Sequence, residues 1–259
     1  MKHFLSAVLG VSLVMGGVLS AQARHFKVYG YKTPEKGEME LVYWTDYVVD
    51  SDLTMNYFGK AGVSRDGLWG HTLEVEYGVT DRFTVAAYAD FEQPSGEDLK
   101  FVQSRFVAAR YRFGERGERF FDTALYLEYY FTDRDYQGET KEKVELRVIL
   151  EREVNGKTLT LNPKFEKVTR GPDVDEGVEF EYGASLYGPW SDRLKWGVEV
   201  YGSLGEIKDV KPWNQQKHYL VPALKYKLSK HVGWNLGTAF GLTDASDNLV
   251  LKSLLEWEI

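Results

Sequence analysis

The stretch His71–Phe91, HTLEVEYGVTDRFTVAAYADF, reads as two strands of equal weight joined by a very short turn. In the first arm Leu73, Val75, Tyr77 and Val79 alternate with Thr72, Glu74, Glu76 and Gly78. In the second, Phe83, Val85, Ala87, Ala89 and Phe91 alternate with Thr84, Ala86, Tyr88 and Asp90. A period of two sends the two sets to opposite faces of a pleated ribbon, and Thr80, Asp81 and Arg82 supply turn chemistry between them. One face is apolar and the other carries charge, so the fold turns on which face meets water.

Outward from this hairpin the same unit recurs. Met39, Leu41, Tyr43, Thr45 and Tyr47 alternate with Glu40, Val42, Trp44 and Asp46 in a first strand over 37–49, and 50–66 reads as a loop. Further alternating segments cover 101–113, 121–131, 144–151, 158–166, 178–185, 194–201, 218–228, 233–242 and the carboxyl-terminal stretch to Ile259. With the opening hairpin the expected number of strands is twelve. Asn155-Gly156 is the strongest hairpin signal. Pro163 and Pro222 fall inside expected strands, where each removes a ladder donor and predicts a bulge or a shorter strand.

The amino terminus sets the compartment. Lys2 and His3 precede an apolar run from Phe4 to Leu19, followed by Ala21-Gln22-Ala23. This is the pattern of a secretory signal peptide, expected over 1–23, with a barrel domain over 24–259. No later stretch reaches the roughly 20 apolar residues of a spanning helix, so a membrane crossing would be made by strands. A mean hydropathy of −0.38 fits a barrel in which every second residue is polar. The chain has no cysteine, which excludes a disulfide framework and a cysteine metal site. A net charge of −7 argues against a nucleic-acid partner.

Parity orients the expected barrel. With both ends in the periplasm, the connections at Val79–Arg82, Gly114–Glu118, Val154–Lys157, Pro189–Asp192 and Ser229–His231 are periplasmic, and all are short, while several opposite connections are long. Tyr77, Phe83, Tyr111, Phe113, Trp196, Tyr226, Trp234 and Trp257 share the apolar phase and sit next to these turns or the terminus, as an aromatic girdle would. The expectation is an all-β, transmembrane, antiparallel up-and-down barrel in the outer membrane. Its partners would be outer-membrane lipid, the outer-membrane assembly machinery and an unidentified small solute.

With the apolar set facing lipid, the lumen-lining candidates are Glu74, Glu76, Arg110, Arg112, Glu128, Glu145, Arg147, Lys164, Glu166, Glu181 and Glu199. Twelve strands enclose a narrow, ligand-sized interior. Arg110, Arg112, Arg147 and Lys164 suggest a basic stripe. Two readings stay open: a charge-lined path for a small polar or anionic solute, or a salt-bridged plug built with Glu128, Glu145 and Glu166. An enzymatic barrel would need a nucleophile paired with a histidine, and no serine pairs with His71 or His218 at an interpretable spacing. His25, His71, His218 and His231 are too scattered for a metal site, and no catalytic residue or cofactor is expected.

GEMELVYWTDY, HTLEVEYGVTDRFTVAAYADF, LYLEYY, LTLNPKFEK and the closing strand containing Glu256 together resemble a widespread group of Gram-negative outer-membrane barrels, the phenol-degradation-pathway and general outer-membrane transporter proteins. The resemblance spans most of the chain after the signal peptide. It implies a barrel, an outer-membrane location and a transport role, and carries over no catalytic residue.

Overall fold

A computed structural model describes residues 26–137 and 141–259. The expected signal peptide, 1–23, lies outside the described residues. The alternating segments become long antiparallel strands. In chain order they are β1 (Met39–Asp50), β4 (Trp69–Thr80), β5 (Phe83–Gln93), β6 (Lys100–Arg112), β7 (Asp122–Thr132), β8 (Glu142–Val154), β9 (Lys157–Arg170), β10 (Glu179–Pro189), β11 (Leu194–Glu206), β13 (Lys217–Lys227), β14 (Val232–Gly241) and β15 (Leu249–Glu258). Each pairs with the next, and β1 pairs with β15, so the twelve strands form a closed up-and-down barrel without a free edge.

The two ends of the barrel differ. At one end lie the tight connections, including Asn155-Gly156, whose two successive positive φ values of 52° and 73° are the pattern of a type I′ turn. At the other end the connections carry structure of their own. The stretch expected as a plain loop, 50–66, is instead a hairpin of β2 (Thr54–Tyr57) and β3 (Lys60–Ser64), and β12 (Asp209–Val210) adds a short pairing to the end of β11. Phe58 and Gly59 hold the tip of the β2–β3 hairpin, again with two positive φ values.

Neither proline disturbs its strand as expected. Pro163 pairs with Tyr182 and Pro222 with Val198, both strands run through unbroken, and the register with β8 and β14 is the same on either side. The missing donors interrupt the ladder locally, without a bulge. The bulges fall elsewhere, most consequentially in β6, where the pairing with β7 shifts between Phe106 and Ala109. One extra residue there reverses which side chains face inward on the two halves of the strand.

Polarity is inverted relative to a water-soluble barrel. Leu73, Val75, Val85, Leu127, Leu186, Val198, Leu224, Leu251 and Leu255 are exposed on the outside, and the girdle residues Tyr77, Tyr111, Phe113, Trp196, Tyr226, Trp234 and Trp257 are exposed around the short-turn end. Inside, Glu74, Glu76, Asp90, Arg105, Glu128, Glu145 and Lys252 are all buried. An apolar exterior with a charged interior is the arrangement of a barrel solvated by lipid.

Candidate functional site

The interior is occupied by the chain itself. Residues 26–36, FKVYGYKTPEK, run inside the barrel ahead of β1, and Phe26, Val28, Tyr29, Tyr31 and Thr33 are buried there. Phe26 packs edge-on against Tyr201 and Tyr219, with ring centroids 5.2 and 5.0 Å away. Tyr29 lies among Trp44, Tyr88, Tyr126 and Ile149. Towards the short-turn end, the Tyr31 hydroxyl donates to the Gly114 carbonyl (2.6 Å) and the Tyr31 amide to Glu151 (3.0 Å). The segment leaves over Gly78, where an added Cβ would overlap the Glu35 carbonyl, and the Gly37 amide then donates to the Gly78 carbonyl at 2.8 Å. Only glycine permits so close an approach.

A strand-like segment at the centre of a barrel has no neighbouring strand to satisfy its backbone, so wall side chains do it. Asn162 accepts from the Tyr29 amide (2.7 Å) and donates to the Tyr29 carbonyl (3.0 Å). Arg110 donates to the Gly30 carbonyl at 3.2 Å. Charge is matched as well: the Lys27 ammonium sits 2.7 Å from Glu74 and 3.8 Å from Glu76, and Lys32 pairs with Glu258 at the rim.

The sequence-predicted residues fall into networks around this segment. Glu74 accepts from Lys27, from the Trp44 indole (2.8 Å) and from the Tyr88 hydroxyl (2.8 Å). Glu76 pairs with Arg110. Glu145 pairs with Arg147 (2.6 Å) and Lys164 (3.4 Å), and Lys164 also reaches Glu181 (2.5 Å). Glu166 pairs with Lys143 at 2.9 Å. Glu199 pairs with Lys252 and accepts from Tyr187 and Tyr201. Arg112 stands apart at the short-turn end, donating to the Asp81 carbonyl with its guanidinium 5.5 Å from the Tyr31 ring. The suggested basic stripe is thus interleaved with carboxylates, and three of its four members are held in ion pairs.

One fully buried cation is hidden by strict alternation. Arg105 is 1% exposed and bridges two wall carboxylates, Asp90 at 3.0 Å and Glu128 at 3.1 Å, with its guanidinium 4.0 Å from the Tyr88 ring. Counted back from Arg110 it would face outward; the β6 bulge turns it in. Asp90 also accepts from Thr72 (2.5 Å) and Gln103 (2.9 Å). Lys27 was hidden for a different reason, since it belongs to no strand.

The long-loop end is partly roofed. Met55, Tyr57, Leu68 and Tyr136 form a buried cluster with Val48 and Val102 of the wall, and the Tyr57 hydroxyl lies 2.8 Å from the carbonyls of both Glu92 and Asp98. Burial, and then the neighbouring Glu92, Glu97 and Asp98, push the Tyr57 hydroxyl above its ordinary pKa. Arg65 pairs with Asp247 at 3.0 Å, and Asp247 also accepts from Ser51 (2.7 Å) and Tyr219 (3.1 Å), joining the first long connection to the last.

The histidines make local contacts. His71 hydrogen-bonds Tyr43 (2.8 Å) between stacked Tyr43 and Trp69 rings on the outer face. His218 contacts Tyr182 (2.9 Å) and Gln216 (2.8 Å) beneath Trp213.

An apolar exterior, a charged interior, tight turns at one end and folded loops at the other define a closed barrel of the outer-membrane type. Among solved structures the chain is similar to the COG4313 outer membrane channel from Pseudomonas putida F1, at 12% identity and a TM-score of 0.58, covering 88% of this chain and 97% of that one. It is also similar to the KdgM porin (8% identity, TM-score 0.53, 84% and 98% covered) and to the NanC porin (8%, 0.50, 85% and 100%). Identities this low speak for the fold. Neither a family model nor a curated protein matches the chain.

Proposed function

We propose that this protein is an outer-membrane channel for a small polar or anionic solute, exported by its signal peptide and surrounded by outer-membrane lipid, with residues 26–36 as a resident obstruction of the pore. The short-turn end then faces the periplasm and the β2–β3 roof faces outside. The reading is in keeping with the resemblance to phenol-degradation-pathway and general outer-membrane transporters. It assigns the barrel no catalytic step.

One observation carries it: the obstruction is a tethered peptide held by side-chain bonds, while the ion pairs Glu145–Arg147 and Asp90–Arg105 belong to the wall and do not need it. Removing the peptide leaves a charged wall behind, which is the lining of an aqueous path rather than a dry core. A barrel built only as a scaffold would close its interior with wall side chains alone, as eight-stranded barrels do.

Single-channel recording of the purified protein in a planar bilayer tests this. The expected result is a small conductance with intermittent larger openings, the openings becoming more frequent in Lys27→Ala. Silence of both proteins at every applied voltage would overturn the channel reading.

A further inference from the structure

Cations and carboxylates are not shared evenly around the short-turn mouth. On one side Glu76, Glu40 and Glu258 are successive partners across β4, β1 and β15, forming a row of carboxylates. The threaded segment and the wall bring cations to that row: Lys27 and Arg110 to Glu76, and Lys32 to Glu258. Beyond the next strand, β14, Lys195 lies directly opposite Lys225 in the β11–β13 ladder, Lys227 follows two residues on, facing the same way, and Gly233 separates Lys227 from Glu256 of β15. All three are in the inward phase, since Trp196, Leu224 and Tyr226 between and beside them are exposed on the outer face. None of the three forms an ion pair among the described residues, in contrast to Lys27, Arg105, Arg110, Lys143, Arg147, Lys164 and Lys252 deeper in the barrel.

Like charges placed directly opposite one another in a sheet disfavour the pairing, so a fold that keeps three of them together gains nothing structural from the charge. Their placement is nonetheless specific. The Lys225 ammonium rests 4.4 Å from the centre of the Tyr187 ring. That ring lies flat against β11 because residue 197 is glycine: a Cβ there would stand 2.5 Å from the Leu186 carbonyl oxygen and 2.5 Å from the ring itself. The Tyr187 hydroxyl in turn receives a hydrogen bond from Asn235 at 2.8 Å and donates to Glu199. Lys225 is therefore a positioned cation, not a free rim lysine. With strand neighbours about 5 Å away across the ladder and about 7 Å away along the strand, the three lysines stand close enough on the wall for one small molecule to reach them all.

We propose that Lys195, Lys225 and Lys227 form a binding site for a small multivalent anion, one carrying two or more carboxylate or phosphate groups, at the mouth of the barrel. Three neighbouring lysines supply charge-assisted hydrogen bonds to such groups and a local positive field that draws them in. The role of the site as the periplasmic exit of a transport path rests on the channel reading; the binding itself does not.

Titration calorimetry of the detergent-solubilised protein with citrate, inorganic tripolyphosphate and glucose tests the proposal, with heat-modifiable gel mobility as the check that each variant is a folded barrel. The wild type is expected to bind citrate or tripolyphosphate, more weakly at higher salt, and not glucose. Affinity is expected to fall at least tenfold when Lys195→Gln, Lys225→Gln and Lys227→Gln are combined, and to be retained when all three become Arg. Binding of neither anion, or equal binding by the glutamine variant, would overturn the site. Bilayer recording separates the two readings: conduction without anion binding overturns the site, and anion binding without conduction supports the site while overturning the channel.

Discussion

The side-chain amide of Asn162 brackets the backbone of Tyr29, accepting from its N–H at 2.7 Å and donating to its carbonyl at 3.0 Å. One wall residue thus supplies both bonds that a neighbouring strand would otherwise make, at the point where residues 26–36 cross the middle of the barrel. Asn162→Leu keeps the volume and removes both bonds, leaving a buried N–H and C=O that cost about 1–3 kcal/mol each to keep in place. The segment is expected to leave the interior for a larger fraction of the time. Mean single-channel conductance should rise at least twofold over wild type, with unchanged barrel mobility on gels.

Arg105 answers two carboxylates at once. Arg105→Met leaves Asp90 and Glu128 buried and uncompensated, and removing one partner of such a network costs about 3–5 kcal/mol. Arg112→Met, near the mouth and bonded to a backbone carbonyl, is expected to cost about 1 kcal/mol. Urea unfolding of the two variants in the same detergent should rank them in that order.

The Tyr57 hydroxyl ties the β2–β3 roof to the rim. Its folded pKa is raised, by burial first and then by Glu92, Glu97 and Asp98. A raised folded pKa means that the stabilisation is fully present below the unfolded value of about 10 and is lost as the pH rises through the higher folded value. Proteolytic cleavage within 54–64 should be flat from about pH 6 to about pH 9 and increase above about pH 10. Tyr57→Phe should raise cleavage at neutral pH and remove the alkaline dependence.

Arg65 and Asp247 fasten the first long connection to the last. In Arg65→Ala the Asp247 carboxylate keeps Ser51 and Tyr219 but loses the Arg65 guanidinium. Both connections should become more accessible together, measured as parallel increases in amide hydrogen exchange over 51–68 and 242–248. An increase confined to the first would count against a shared fastening.

Strand number, closure, the apolar exterior and the inward carboxylates were legible because one face of nearly every segment alternates strictly, as in His71–Phe91. The interior partners were legible only in part. Glu76 with Arg110 and Glu145 with Arg147 follow from phase. Arg105 does not, because the β6 bulge adds one residue to the count and no local composition marks it. Lys27 and Tyr29 do not either, since FKVYGYK precedes the first strand and carries no strand phase of its own, and what places it inside is a set of contacts to residues 47 to 133 positions away. The three mouth lysines were visible as residues, but that none of them is ion-paired among the described residues is a property of the assembled wall.

Seen as an event in time, closure of the barrel joins its first strand to its last: Glu40 meets Glu258, and the Met39 and Ile259 backbones bond reciprocally at 3.2 and 2.8 Å. Among the described strand pairings this seam spans the greatest sequence separation, so it has the largest loop to close and is expected to form last. Residues 26–36 are joined to β1 by only a few residues, so the peptide can be carried in sideways with the closing strand and need not thread a finished pore. Pulse proteolysis during refolding should then show cleavage in 26–36 and in β1 disappearing with one rate constant, making the last step of assembly also the step that fills the interior.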